Sequence, residues 1–384
     1  MLVIAWLVML SSMIAVGGAA AVCMFYVVKR THRFYHIKKL ARTHRWLSWA
    51  AAMSPVLVCA AFASIRIVAM YVVVFHLTLF WIICDIAAMR VQRYRKNKRL
   101  KARRAEGYKP RKRIRRRYTA GYVAMLMTVV YLGCGWYMAH HIVTTRYDVS
   151  SDKDTHGQLH VVMIADSHIG ITFDGEGFAE QCRRISAMQP DIVLLPGDFV
   201  DDDTSTRDMK RACRALGEIE SKYGVYVSHG NHDPGFFGYR DFTIDELDRE
   251  LRAAGVHLLD DETELVDGRF YVTGREDKSD RKRMTMAELS EKLDSSIYQI
   301  VLDHQPNDFE AEAKAQADLV VSGHTHGGHI FPAGYFGKLL GFNDRIYGSE
   351  RRGSTTFIVT SGISGWAIPF KTGCCSEIVD IYVN

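Results

Sequence analysis

Acidic residues are almost missing from the first 118 positions of this 384-residue chain, where Asp85 and Glu106 stand against 24 Lys and Arg, a net charge of +22. The remainder carries 25 basic and 41 acidic residues, a net of −16, so the overall +6 averages two halves that sit in different electrostatic surroundings. Cysteine is present but unpatterned. Cys23, Cys59, Cys84, Cys134, Cys182, Cys213, Cys374 and Cys375 show neither zinc-type spacing nor a disulfide-scaffold arrangement. Four of them lie in apolar runs and read as small hydrophobes; the vicinal Cys374-Cys375 pair reads as packing rather than redox chemistry. No basic residue precedes the first apolar stretch and no clear small-residue cleavage site follows it, which argues against a removable signal and for a retained span. The second half has no internal repeats and no low-complexity segments.

What the first half does contain is four apolar stretches, near Leu2–Val28, Trp46–Ile65, Ile67–Met89 and Thr119–Val143. Each approaches the about 20 residues that a bilayer crossing needs. Only Arg66 separates the second from the third, so they make a tight helical hairpin or one long broken helix. Residues 29–45 hold seven Lys/Arg and no acid, and residues 90–117 hold sixteen against one acid; both loops are expected on the cytoplasmic side. Four spans then give an outside amino terminus and a carboxy-terminal domain on the outer side of a cell membrane. An unbroken passage through Arg66 would change that parity. Asp85 lies near a span end and is read as reaching the interface, although an intramembrane acid is a functional candidate by default. The second basic loop lacks interleaved aromatics beyond Tyr94, Tyr108 and Tyr118, which favours contact with anionic headgroups over nucleic acid. The expected organisation is a four-span region with basic loops over residues 1–145, a linker over 146–156, and a second domain over 157–384.

In that second domain short apolar runs alternate with amphipathic stretches. Leu159–Ala165, Ile192–Leu195, Val225–Ser228, Ile297–Leu302 and Leu319–Val321 read as buried strands, with Thr355–Thr360 and Glu377–Val383 near the end. Gly177–Met188, Thr206–Lys222 and Thr243–Ala254 read as helices, and the alternation predicts an α/β domain. Polar residues fall directly after the strands: Asp166-Ser167-His168, Gly197-Asp198, Gly230-Asn231-His232-Asp233, Asp303-His304, and Gly323-His324-Thr325-His326-Gly327-Gly328. Ligands bind beyond the carboxyl ends of strands in open α/β sheets. Five such clusters are hard to explain as packing, because buried unpaired polar groups are costly. A pair of divalent ions needs one bridging carboxylate and a nitrogen/oxygen shell around each ion. Imidazole mixed with carboxylate suits Mn, Fe or Zn, whereas an all-oxygen shell would suggest Mg or Ca. The glycines at 197, 230, 323, 327 and 328 allow turns that a side chain would strain. His229 and His257 read as structural, the latter as a satisfied core residue.

The set D-x-H, G-D, G-N-H-D, H and G-H-x-H resembles the calcineurin-like metallophosphoesterase superfamily, and the closing G-H-T-H-G-G resembles its membrane-associated bacterial branch. The resemblance covers residues 157–384 and implies a four-layer α/β/β/α sandwich, here preceded by an all-α transmembrane region. It implies one metal held by Asp166, His168, Asp198 and His326, and a second held by Asp198, Asn231, His304 and His324. His232 matches the catalytic imidazole of the family, and Asp201 an acid that orients it in some members. Two departures stand out: His329 occupies a position that is often Gln, and Lys371 one that is usually Arg. Lys can serve phosphate as a point charge but not as a bidentate fork.

The function implied is hydrolysis of a phosphate ester (a phosphodiester, monoester or lipid-linked pyrophosphate) by attack of a metal-bridging hydroxide. Expected cofactors are two divalent metal ions. Expected partners are that substrate and the membrane, with no nucleic acid, since an acidic domain repels a polyanion. The rival is a non-catalytic metal-binding module or membrane sensor on the same fold. A complete set of ligands and imidazole argues against the module, and the scarcity of intramembrane charges argues against a transport path.

Overall fold

Apolar runs long enough to form helices dominate the chain up to His140, and strands begin immediately after it. The computed structural model describes residues 2–64, 66–103, 118–236, 238–332 and 334–384. It divides into two units, Met1–Gly133 and Cys134–Asn384.

The first unit contains α1 (Leu2–Thr31), α2 (Tyr35–Leu40), α3 (Arg45–Ala52), α4 (Ser54–Ala61), α5 (Ile67–Arg103) and the start of α6 (Ala120–His140). Among the described residues three helices are long and apolar enough to cross a membrane: Ile14–Thr31 of α1, Ile67–Lys101 of α5, and Ala120–His140. The stretch Trp46–Ile65, expected as one span, is instead two helices of 8 residues each that break at Met53. The break falls where Pro55, in the first turn of α4, has no N–H to continue the ladder. Ile65 itself and residues 104–117 of the second basic loop lie outside the described residues; Arg90–Arg103 continue α5. Asp85 does not reach water. It is buried, with Arg30 Nε 3.0 Å from Oδ2, Tyr26 donating to Oδ2 at 3.2 Å and Tyr118 to Oδ1 at 2.7 Å. Trp81 Nε1 donates in turn to the Tyr118 hydroxyl at 2.6 Å.

In the second unit the strands are β1 (Val143–Val149), β2 (Leu159–Met163), β3 (Ile192–Pro196), β4 (Val225–Ser228), β5 (His257–Leu258), β6 (Glu262–Val266), β7 (Phe270–Gly274), β8 (Tyr298–Leu302), β9 (Leu319–Ser322), β10 (Gly348–Arg352), β11 (Thr355–Val359) and β12 (Glu377–Val383). The helices among them are α7 (Gly175–Ser186), α8 (Thr206–Gly217), α9 (Ile244–Ala253), α10 (Met286–Ser290), α11 (Phe309–Lys314) and α12 (Tyr335–Leu339). They form two six-stranded sheets, in the orders β1-β12-β2-β3-β4-β5 and β10-β11-β9-β8-β7-β6. The segment expected to hold the end of a span and the start of a linker supplies β1. Its side chains alternate between half-buried and exposed, as an edge strand's do, and it pairs parallel with β12.

Period-two alternation builds the layers. In β2, Val162 packs under α7, α8 and α9, while Leu159, Val161 and Met163 face the other sheet. β3 repeats this with Val193 and Leu195 against Ile192 and Leu194. In the second sheet Ile300 and Leu302 turn inward, and Val301 packs outward with Met286 of α10 and Phe309 of α11. The result is helix, sheet, sheet, helix: the expected four layers. Both faces of β2, β3, β8 and β9 are covered, which is why those strands read as unbroken apolar runs. Asp174, Ser205 and Thr243 cap α7, α8 and α9 through backbone N–H groups, each cap contributing about 1 kcal/mol. The parallel strands β2–β3–β4 and β8–β9–β11 deliver their carboxyl ends to the polar clusters.

Candidate metal centre

Each polar cluster begins where a buried strand stops, so backbone donors that the sheet no longer uses become available to the loops. Asp166 N donates to Gly197 O at 3.2 Å and His168 N to Asp198 O at 3.1 Å, which ties the first two clusters together. Asp233, quoted in the third motif but given no role from sequence, carries much of this assembly. Its buried carboxylate accepts from Asp198 N, Val200 N and Gly230 N at 3.0, 3.0 and 2.7 Å. Glycine is required at two of the joints for different reasons. Gly197 has φ +79°, and a Cβ there would lie 2.5 Å from His304 Nδ1. Gly230 needs no unusual φ, but a Cβ would fall 2.3 Å from Asp198 Oδ1.

Five of the seven residues expected as ligands adopt left-handed backbone: Asp166, His168, Asp198, His324 and His326, with φ between 36° and 68°. Such conformations cost on the order of 1–3 kcal/mol where a side chain is present and cluster at functional sites. The strain is held by the bonds just described and by His324 N donating to Asp166 Oδ1 at 2.8 Å and His232 N to Asp198 Oδ1 at 2.8 Å.

The side chains converge as two groups. In one, Asp166, His168 and His326 bring their ligand atoms together, with His168 Nε2 3.2 Å from His326 Nε2 and His326 Nε2 3.7 Å from Asp166 Oδ1. In the other, Asp198, His304 and His324 do so, and Asn231 Oδ1 lies 3.2 Å from His304 Nε2 and 2.9 Å from His324 Nδ1. Asp198 Oδ2 stands between them, 3.1 Å from His304 Nε2 and 3.5 Å from His168 Nε2. His304 Nδ1 donates to Pro196 O at 3.0 Å and His326 Nδ1 to Ser364 O at 3.2 Å, which turns each Nε2 toward the centre, where a cation would take its lone pair. Asp166 Oδ2 is buried with no hydrogen-bond partner. Two imidazole lone pairs at close approach beside an orphaned carboxylate oxygen fit a cation.

Electrostatics follow from burial and from the crossed charges. Burial pushes Asp166 up to about 6, with the Asp198 charge adding to the rise. Asp198 suffers the same burial, yet His304 beside it holds it well below the carboxylate range. Burial alone would lower His304, but Asp198 raises it well above an ordinary imidazole. Burial lowers His324 to about 4, with His304 assisting, and it drives His326 well down, with His168 assisting. Asp201 lies between two imidazoles, Oδ2 3.1 Å from His168 Nδ1 and Oδ1 3.4 Å from His232 Nδ1; against burial, both hold it low. His232 is raised, its burial outweighed by Asp201 and Asp198.

The structure thus brings together Asp166, His168 and His326, then Asp198, His304 and His324 with Asn231 beside them, and sets Asp201 between His168 and His232. Lys371 is the exception among the basic candidates. It is fully buried, and Nζ donates to Ser361 O and, at 3.2 Å, to Gly362 O, so it braces the loop against Asp166 instead of facing phosphate. His329 lies with its ring 5.4 Å from His326, held neutral by burial and Lys371, which lower it to about 3. His229 braces the third loop between Asp248 and Asp260, at 3.0 and 2.9 Å. His257 is half-exposed, paired with Glu264 at 3.0 Å, and not a core residue: β5 is a two-residue edge strand whose outer side stays open. Burial raises the Cys374 thiol, and its Sγ donates to His326 O at 3.2 Å, in line with packing. Sequence reasoning missed Phe236 and Trp366, whose rings lie 4.8 and 5.6 Å from that of His232. The signal available was the polar run after β11, Thr360-Ser361-Gly362, a sixth strand-end cluster that leads to Trp366.

Residues 159–328 match the calcineurin-like phosphoesterase family. A metallophosphoesterase of Aquifex aeolicus is 30% identical over 249 residues, which cover 62% of this chain and 90% of the relative. One from Campylobacter jejuni is 29% identical over 226 residues, 58% of either chain. A transmembrane protein with metallophosphoesterase domain from Bos taurus is 26% identical over 256 residues, 63% of this chain and 57% of the relative. The chain thus spans little more than half the length of the Campylobacter and bovine relatives.

Proposed function

The chain belongs to the calcineurin-like phosphoesterase family, and from that premise we propose that it is a membrane-anchored hydrolase of phosphate esters with a two-metal centre. The observation that carries this reading is the position of Asp198 Oδ2, within 3.1 Å of a nitrogen of one ligand group and 3.5 Å of a nitrogen of the other. Asp166, His168, Asp198 and His326 would hold one divalent cation, and Asp198, Asn231, His304 and His324 the other. Mixed imidazole and carboxylate donors select Mn, Fe or Zn. When bound, such a pair supplies Lewis acidity and charge neutralisation for phosphoryl transfer to water.

The chain's own residues do the rest. Pro196 O and Ser364 O orient His304 and His326 through their Nδ1–H groups. Asp201 faces His232 Nδ1 and favours its protonated form, which suits it to hand a proton from Nε2 to the leaving oxygen. Phe236 and Trp366 wall that imidazole from bulk water.

Charge supports an outer-side position for the domain. Arg30 and Asp85 meet at the basic-flanked ends of α1 and α5 alike, so the two apolar segments lie alongside each other only if the helices run the same way. Parallel neighbours need a return passage, and α3 with α4 is the chain available for it. With both basic loops inside, α6 then leads outward.

The test is hydrolysis of an aryl phosphodiester and an aryl monoester by the full chain, with and without chelator. Activity is expected to vanish with chelator, to return with one of the three metals, and to be lost in Asp198→Ala and His232→Ala. Undiminished activity in either variant refutes the proposal.

A further inference from the structure

We infer that the segment from Tyr335 to Phe342 is a membrane-dipping element at the mouth of the metal centre, so that the substrate is an amphipathic phosphate ester reached from the bilayer surface. The inference deepens the hydrolase reading and rests on it for the substrate, though not for the membrane contact.

The segment is unusual for a domain surface. Phe336, Leu339, Leu340 and Phe342 are 55, 77, 64 and 66% exposed, and Tyr335 beside them is 47% exposed. Large apolar side chains crowded in this way mark contact surfaces, because a soluble face rarely carries a contiguous patch beyond a few hundred Å². Lys338 is the basic residue of α12, and its stem can lie on apolar surface with the ammonium at headgroup level.

What covers the patch is indicated by its neighbours. The last turn of α6, the end of a helix apolar enough to cross a bilayer, is bonded into the same part of the second unit. Lys371 N donates to Gly135 O at 2.9 Å, Ser376 N to Met138 O at 2.9 Å, and Ser376 Oγ to Ala139 O at 2.9 Å. One residue on, Thr372 N donates to His329 O at 2.8 Å, and Thr372 Oγ1 accepts from Phe331 N at 2.9 Å. The irregular segment 371–376 thus touches the last turn of α6 on one side and, on the other, His329 and Phe331, which lead into the apolar segment. Trp136 and Tyr137 on that turn are 51 and 55% exposed, aromatic residues of the kind enriched at the bilayer interface. A bilayer that takes in α6 up to this turn meets α12 as well.

The metal centre adjoins the same segment. Tyr335 lies over Gly328, where a Cβ would sit 3.0 Å from its Cε2, and Gly328 is two residues from the ligand His326. Trp366 N donates to His329 Nε2 at 3.4 Å, and the Trp366 ring, 43% exposed, stands beside His232. A phosphate held at headgroup depth can therefore enter the site while its apolar chain stays in lipid. A wholly water-soluble ester gains nothing from the arrangement.

The experiment uses the full chain in nanodiscs of phosphatidylethanolamine and phosphatidylglycerol. A spin label on Leu339→Cys, with the background of the parent chain subtracted, is expected to collide with oxygen in preference to a water-soluble nickel chelate. A label on Lys314→Cys, exposed on α11, is expected to show the reverse. The second arm compares methyl and hexadecyl p-nitrophenyl phosphate, which share the bond cleaved: water oxygen adds to phosphorus, p-nitrophenolate leaves, and the water's protons pass to product and buffer. The triple variant F336S/L339S/L340S should lose about tenfold or more in kcat/KM on the hexadecyl ester, the factor that ~1.4 kcal/mol of lost binding gives, and keep its rate on the methyl ester. Nickel preference at position 339, or equal rates of variant and parent on both esters, overturns the inference. If the parent hydrolyses neither ester, the hydrolase reading fails, while the label still decides the membrane contact.

Discussion

Asp85 and Asp166 are both buried carboxylates, one in the helical unit and one in the α/β unit, and they are buried in opposite ways. Asp85 has a partner for each oxygen: Arg30 and Tyr26 at Oδ2, Tyr118 at Oδ1. Asp166 accepts one backbone N–H at Oδ1 and leaves Oδ2 with none. A satisfied buried ion pair ties α1 and α5 to Tyr118, two residues ahead of α6, and asks for nothing further. An unsatisfied oxygen beside two imidazole lone pairs asks for a cation. Burial by itself therefore says little about function; the completeness of the partner set separates scaffold from site.

The comparison breaks most sharply at Asp198, whose Oδ2 stands between the two groups, 3.1 Å from His304 Nε2 and 3.5 Å from His168 Nε2. Asp198→Ala is expected to lower kcat on an aryl phosphate by about 10⁴-fold, because residues acting as one unit do not fail by halves. In the helical unit Asp85→Leu should leave Arg30 without its carboxylate and destabilise the fold by ~3–5 kcal/mol, as breaking a buried pair does. The readout is thermal unfolding in detergent, and the folded fraction should retain its kcat. A large loss of kcat from Asp85→Leu with stability intact would erase the distinction drawn here. Asp166→Asn sharpens it from the other side. Burial raises Asp166 to about 6, so the folded state binds a proton more readily than the unfolded chain, and stability falls as pH rises from 3.8 through that value. In metal-depleted protein the Asn variant is expected to be more stable than the parent at neutral pH. It should also forfeit most of the ~2.7 kcal/mol that a metal at a hundred times its Kd lends the parent. A melting curve with and without metal reads both effects.

Much of the candidate metal centre was legible because its residues follow unbroken apolar runs, and such runs arise where both faces of a strand are covered. β2, β3, β4, β8 and β9 announce themselves in this way, and the polar residues after each make up the candidate site. The edge strands do not. β6, Glu-Thr-Glu-Leu-Val, and β10, Gly-Ser-Glu-Arg-Arg, are solvated on one side and carry no apolar run by which to be found. β1 read as the end of a span because its first residues continue an apolar stretch. Contacts made across long separations were equally hidden: nothing near Asp85 in sequence names Arg30, and nothing near Lys371 shows that Ser361 and Gly362 hold it. The break at Met53 had a visible cause in Pro55, but a proline one turn into a helix can either start or end it, and only the backbone decides.

The smallest effect concerns a carboxylate with no place in either ligand group. Glu276, half-buried, is raised to about 7 by burial and by the neighbouring Asp260 charge. Its folded pKa thus exceeds the ordinary 4.5, so between those values the folded protein holds a proton that the unfolded chain has released. Stability from this group is present in full below pH 4.5 and is lost as pH rises through about 7. Glu276→Gln removes the dependence. The variant and parent should melt together at pH 4.5, and the variant should melt higher at pH 8, by a small margin because the side chain is partly solvated. The difference between the two melting curves is the measurement, since His229, raised by Asp248 and Asp260 against its own burial, tilts both in the same direction above pH 6.5. A variant that melts lower at pH 8 would mean that Glu276 is charged and paired in the folded state, and would place it with Asp85 among the satisfied acids.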